Sequence, residues 1–201
     1  CKYISNLGQV DLKKGKWLIL TRTKNQLLDL MEQVKKKNLY YETNKGKSYK
    51  SRLYKAAKLY TDWTKGKILD EKEEKECKDF MGEEHFNRKL NWYDVFVTAP
   101  EKEIRYIRLM LENGEDLDQD ARIFMSTIHA IKGGEEDNVI LALHQGRTIQ
   151  KSIKRSVDKK DEEERVWYVG ITRARNNLYK LKSKTKLKEY KLWEYLHQIY
   201  L

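Results

Sequence analysis

The sequence of 201 residues has few of the residues that interrupt or cross-link a chain: one proline, ten glycines and two cysteines. So little proline and glycine argues against linkers and low-complexity tracts. Cys1 and Cys77 cannot build a disulfide framework, and the four histidines do not cluster with them in sequence. We therefore expect no structural metal.

Long apolar runs are also absent. No apolar stretch approaches the length that spans a membrane, and no basic-then-apolar signal segment opens the chain. These two absences predict no membrane partner and, by default, a cytoplasmic location. The chain begins at Cys1 rather than at a methionine, and we expect it to be a piece of a longer protein.

Positive charge is present in excess. The formal net charge is +11 and the isoelectric point is near 9.4, which favours an anionic partner, most commonly nucleic acid. Charge alone leaves a solvated, lysine-rich surface equally possible. With 39% hydrophobic and 36% charged residues, the chain is long enough to bury one large core, or one core with an insert.

One strand-and-turn unit lies near the start of the chain. The apolar run 17–20 is typical of a buried strand, and apolar residues recur at helical spacing over 27–34. Arg22 lies in the polar turn between them, where parallel sheets bind ligands at the carboxyl ends of their strands. From these residues alone, Arg22 is either a ligand-binding residue or a cap of the turn.

A second unit of this kind spans residues 122–135. The strand predicted at 122–127 brings Thr127 and His129 to its carboxyl end. Gly133 follows in a flexible turn, where a glycine lets the backbone approach a phosphate or a sugar. A lone histidine after a strand is usually structural, so His129 needs the surrounding pattern to become a candidate for binding.

The remaining patterns alternate between strands and helices. We predict further strands at 39–43, 138–143 and 177–181, and helices at 51–66, 70–79, from Pro100 to about Asn113, and at 162–175. The strand at 138–143 is the most apolar and is predicted to be central. Residues 91–97 fit either a strand or a short helix. We expect an exposed, mobile, cationic loop at 145–160, a basic linker at 182–191 and a closing helix at 193–199.

The segment 44–48 ends in Gly-Lys-Ser, as a P-loop does. A P-loop also needs a glycine five residues before Gly46, where this chain has Tyr41. We interpret the segment as a turn, either solvated or touching DNA backbone, and not as a nucleotide-binding loop.

Two segments resemble signature motifs of superfamily 1 helicases of the UvrD, Rep and PcrA type. Residues 168–174, Tyr-Val-Gly-Ile-Thr-Arg-Ala, resemble the last motif, and residues 126–135 resemble the penultimate one, Thr-x-His-x-x-Lys-Gly-x-Glu. The strand and turn around Arg22 are similar to a third motif, in which Arg-Thr-Asn follows a strand. Thr21 stands where many relatives have an aromatic residue that stacks on adenine, and Gly134 where leucine is common.

The alternation of strands and helices, together with this resemblance, predicts a RecA-like α/β domain: three layers with a mostly parallel sheet. Residues 1–48 would form its first part and 121–201 its second. Residues 49–120 would form a small helical insert in the place where larger relatives carry an accessory domain. We expect the aromatic residues of the insert to form its core.

The resemblance implies a C-terminal motor domain of an ATP-dependent DNA helicase or translocase. Its cofactor would be ATP, with Arg22 and Arg173 as arginine fingers on the phosphates. Glu135 would reach the ribose, and Gly133 would lie against the nucleotide. Arg175 is a weaker candidate, as a surface or DNA-backbone residue.

The resemblance also implies the partners. Thr127, His129 and Lys132 would contact single-stranded DNA. The chain has no P-loop and no acidic pair for Mg²⁺, so an N-terminal RecA-like P-loop domain of the same protein would supply both, and this chain alone would be inactive. The alternative function is a non-catalytic nucleic-acid-binding module that retains the helicase fold, and a helicase-like half fused to a nuclease is a third.

Overall fold

The computed structural model describes residues 1–82, 84–131, 133–184 and 189–190. It is an α/β structure with a mostly parallel sheet, as the sequence predicts, and the sheet has seven strands among these residues. The strands are β1 (Lys2–Ile4), β2 (Trp17–Thr21), β3 (Tyr41–Thr43), β4 (Gly46–Lys47), β5 (Ile123–Thr127), β6 (Glu136–Ala142) and β7 (Ala174–Leu181). The helices among these residues are α1 (Lys24–Lys36), α2 (Ser51–Thr64), α3 (Glu71–Met81), α4 (Trp92–Val95), α5 (Glu101–Glu112), α6 (Arg147–Arg155) and α7 (Val157–Ile171).

The sheet has the strand order β1-β7-β6-β2-β5-β3-β4, so β2 lies at its centre, with β6 beside it. The pairs from β1 to β3 along this order are all parallel. Thr21 is level with Thr127 on one side and with Ala142 on the other. The strands β2, β5 and β6 therefore end together at one edge, which we call the carboxyl edge. The opposite, amino edge includes the paired residues Glu136 and Ala174.

The central strand is buried along its whole length, as the apolar run 17–20 predicts. Leu18 and Leu20 pack in one cluster with Trp167 of α7. Ile19 alternates to the other face of the sheet, because successive side chains of a strand point in opposite directions. After β2, the Thr23 hydroxyl accepts a hydrogen bond from the backbone N–H of Gln26 and caps α1. Arg22 is thus held between a strand end and a helix start.

The chain forms two compact units. The first comprises residues 1–37, 41–46 and 120–201, and the second comprises 38–40 and 47–119. The second unit contains α2 to α5. Its aromatic residues form a core, as predicted: Tyr60 and Phe96 are fully buried and meet edge to face, with ring centroids 5.7 Å apart. Cys77 is a buried free thiol in this core, and Cys1 is an exposed one.

The prediction of a mobile cationic loop at 145–160 is wrong, because this stretch forms α6 and the first turn of α7. Ile149 and Ile153 share one face of α6, but the mostly polar composition of the stretch gave no helical pattern strong enough to predict it. The Ser156 hydroxyl then accepts from the backbone N–H of Lys159 and caps α7. The ambiguous segment 91–97 contains the short helix α4. The strand β1 was not predicted, and it pairs with β7.

The segment 44–48, predicted as a turn, contains the turn between β3 and β4 and the strand β4 itself. Asn44 donates from Nδ2 to the Ala130 carbonyl (3.0 Å) and to the Ser126 hydroxyl (3.3 Å).

The predicted closing helix at 193–199 and most of the predicted linker at 182–191 lie outside the described residues. In the part of the chain that is described, no helix is both long and apolar enough to cross a bilayer.

Candidate functional site

Arg22 lies immediately after β2 and binds Glu163 of α7. Its Nε donates to both carboxylate oxygens at 2.9 Å, and its Nη2 donates to Oε2 at 2.8 Å. The Arg22 side chain is 18% exposed and that of Glu163 is 4% exposed, so both charges are largely removed from water. Burial at this level requires the two charges to satisfy each other.

Two further donors complete the environment of Glu163. Trp167 donates from Nε1 to Oε1 at 2.8 Å, and Gln145 donates from Nε2 to the same oxygen at 3.1 Å. Sequence patterns alone did not predict this network. One signal was available: Glu163 lies four residues before Trp167, on the stripe of α7 that packs toward the sheet, and an acidic residue on a buried stripe requires a partner.

Thr127 and His129 lie at the carboxyl edge, close to the end of β2. The Thr127 carbonyl accepts from the backbone N–H of Ala130 (3.0 Å) and of Ile131 (3.2 Å), which forms the turn after β5. The Ile128 N–H donates to the Thr21 carbonyl at 2.9 Å. These backbone bonds fix the turn, so the exposed His129 side chain projects from a defined position.

The charge state of His129 is set by its neighbours. Partial loss of hydration and then the positive charge of Arg22 lower the pKa of His129, and the carboxylate of Glu163 opposes them. The lowered pKa favours the neutral form of the imidazole. A neutral ring has one donor and one acceptor nitrogen, and it can donate a hydrogen bond to a phosphate oxygen.

Arg22 and His129 share a cavity of about 250 Å³. Its wall is completed by Thr148, Ile149, Ser152 and Ile153 of α6 and by the start of α7. The structure thus brings together two residues that the sequence analysis assigned to different ligands, Arg22 to ATP and His129 to DNA. It also adds α6 to their surroundings, a helix that was not predicted.

Glu135 and Gly133 precede β6 and lead to the amino edge. Gly133 has a φ of +67°, and a side chain added there would meet no atom within 4 Å, so its backbone is open to a ligand. Glu135 is about half exposed, and its Oε2 lies 3.6 Å from Nε of Arg175. Lys132, the third proposed DNA contact, lies outside the described residues.

Arg173 lies between α7 and β7. Its carbonyl accepts from the backbone N–H of Glu136 at 3.0 Å, which places its backbone at the amino edge. Its half-buried side chain runs back along α7, and Nε donates to the Val169 carbonyl at 3.2 Å. Val169 and Glu163 are about 9 Å apart along the helix axis, at 1.5 Å per residue. Both proposed arginine fingers are therefore held by one helix, α7.

The geometry combines a guanidinium fixed on α7, an acidic residue with an open glycine backbone nearby, and a polar turn at the carboxyl edge. Arginine offers rigid, paired donors, which suit an oxyanion such as phosphate. The UvrD-like helicase C-terminal domain family matches residues 47–185, a range that contains both motif segments. No curated protein matches the chain significantly. Because the match covers more than half of its length, the chain belongs to the UvrD-like helicase C-terminal domain family.

Proposed function

We propose that this chain is the C-terminal motor domain of an ATP-dependent DNA helicase or translocase. The observation that carries the proposal is the course of the segment from Thr127 to Glu135. It starts at the carboxyl edge beside His129 and reaches the amino edge beside Arg175 and the backbone of Arg173. One short segment thus joins the proposed DNA contacts to the proposed ATP contacts.

ATP would occupy a site shared with a P-loop domain, which would also hold Mg²⁺. Phosphoryl transfer depends mainly on positioning and on stabilisation of charge at the phosphate oxygens. Arg173 suits this role because its bond to Val169 fixes the guanidinium in advance. Glu163 engages Nε and Nη2 of Arg22, which leaves Nη1 to donate to a phosphate oxygen.

Single-stranded DNA would lie against Thr127, His129 and Lys132. Closure of the cleft on ATP would move Arg173 and Glu135 toward the phosphates and the ribose. Because Thr127 and His129 lie on the segment that ends at Glu135, the same movement shifts them along the DNA backbone. Binding and release of nucleotide are thereby coupled to stepping along the strand.

The test is ATP hydrolysis by the complete gene product, with and without single-stranded DNA. Turnover that rises strongly with DNA supports a translocating motor, with this chain as its second half. The net charge of +11 is equally compatible with one other candidate, a nucleic-acid-binding module that has lost its motor. DNA binding without turnover, in a gene product that has no P-loop, would establish that candidate and overturn the proposal.

A further inference from the structure

One face of α6 is entirely cationic. Arg147, Lys151, Lys154 and Arg155 recur at i, i+4, i+7 and i+8, so their side chains share a single arc of the helix, and all four are exposed. We call these four residues the α6 cationic face. The helix contains no acidic residue, so no carboxylate within it offsets this charge.

Other helices of this chain contain carboxylates that pair with some of their cations. Lys78 pairs with Glu74 in α3, and Lys36 pairs with Glu32 in α1. In α7, which follows α6 directly, Lys159 pairs with Glu162. Within the described parts of the chain, no residue of the α6 cationic face makes an ion pair. Like charges at i,i+4 repel, so this face weakens the helix unless an anion binds to it.

The other side of α6 anchors the helix at the carboxyl edge. Ile149 and Ile153, with Thr148 and Ser152, line the cavity that also contains Arg22 and His129. The isoleucines are half-buried there and so are not free to enter a lipid bilayer. Packing therefore holds the cationic face outward, next to the turn that carries the proposed DNA contacts.

We propose that the α6 cationic face binds the phosphate backbone of nucleic acid and extends the DNA path beyond Thr127 and His129. Its position on that path rests on the proposed function. From Arg147 to Arg155 the face spans about 12 Å at 1.5 Å per residue. At the spacing of a stacked, helical strand, one charge per ~3.4 Å, this length faces about three or four phosphates. No aromatic residue lies on α6, so the contact involves no base stacking and is independent of sequence.

The experiment measures how binding of a labelled oligothymidine by the complete gene product depends on salt, without nucleotide. The test variant replaces all four residues of the face by glutamine. The control variant replaces four exposed cations of the second unit by glutamine, which removes the same net charge: Lys72, Lys75, Lys102 and Arg105. Each neutralised phosphate contributes about 0.7 to the slope of log K against log salt, so the test variant, which loses three or four contacts, should lose about 2–3 from this slope. The control variant should keep the slope of the unmodified protein.

Three outcomes would overturn the inference. An unchanged slope in the test variant means that the face is only solvated. An equal loss in both variants means that net charge acts without a defined contact. If the test variant loses binding to anionic vesicles but binds DNA as the unmodified protein does, α6 contacts a membrane surface. The assay needs no ATP, so it separates this inference from the proposed function. If the gene product does not hydrolyse ATP but the salt slope still falls in the test variant, the proposed motor function is refuted and this inference stands.

Discussion

Arg22 and Glu163 form a bidentate ion pair that joins the end of the central strand to the first half of α7. Their positions are 141 residues apart in sequence, and both side chains are largely buried. The pair fixes the direction of the Arg22 side chain before any ligand arrives. It also contributes to the electrostatic environment of His129.

Glu163→Ala should destabilise the chain strongly. The change leaves the buried Arg22 charge without its acceptor and removes the partner of Trp167 and Gln145, which typically costs about 3–5 kcal/mol of unfolding free energy. Urea unfolding followed by tryptophan fluorescence measures this. The matched control is Glu162→Ala on the same helix, where the side chain is 60% exposed and pairs with Lys159. It should cost about 0–1 kcal/mol, and equal costs at the two positions would contradict the network.

Arg173→Ala in the complete gene product should reduce ATP turnover by about a thousandfold or more, with ATP binding largely kept. An arginine finger acts on charge that develops during phosphoryl transfer, so its loss lowers kcat far more than it raises KM. Steady-state kinetics with single-stranded DNA separates the two. Arg165→Ala removes the same charge from an exposed position on α7 and should leave turnover unchanged. Full turnover in Arg173→Ala would remove Arg173 from the mechanism.

His129 should titrate below the ordinary histidine value, and Arg22→Gln should raise its pKa. Arg22→Gln removes the positive charge that lowers the His129 pKa. The negative charge of Glu163 remains, and it favours the imidazolium. Because the folded pKa is the lower one, His129 contributes stability that is present above about pH 6.5 and is lost as the pH falls toward the folded pKa. NMR titration of the imidazole measures the pKa directly. A pKa that stays unchanged in Arg22→Gln would show that Arg22 does not act on His129.

Gly170→Ala should destabilise the contact between α7 and β6. A methyl group added at Gly170 would lie 2.9 Å from Cδ1 of Leu141 and 3.3 Å from Cδ1 of Ile128. Overpacking costs about 1–3 kcal/mol, and the better helix propensity of alanine returns about 1 kcal/mol or less. We expect a net loss of unfolding free energy in urea titrations. Leu141→Ala should cost less in the Gly170→Ala background than alone, and strict additivity of the two changes would contradict the steric account.

The sequence specifies the centre of the sheet well and the surroundings of the site poorly. The strands β2, β5 and β6 are predicted because parallel strands buried on both faces are nearly continuous apolar runs. The burial of Glu163 is not predicted, because this residue stands in a run of acidic residues that is typical of a solvated surface. Only the tertiary fold shows which of these side chains points into the core. The helix α6 was missed for a related reason. Its two isoleucines become a packing face only beside Arg22 and His129, which are distant in sequence.

The central pairing of β2 with β5 also constrains the order of folding. Trp17 meets Ile123 across about a hundred residues, and the whole second unit lies between them. Closing so long a loop is slow compared with forming the local contacts of α2 to α5. The helical unit can therefore fold first and shorten the loop that separates β2 from β5. During synthesis β2 emerges long before either of its neighbours. A chain that stops short of β5 presents an apolar strand with two unpaired edges, and aggregation through that strand is the expected fate of such truncated products.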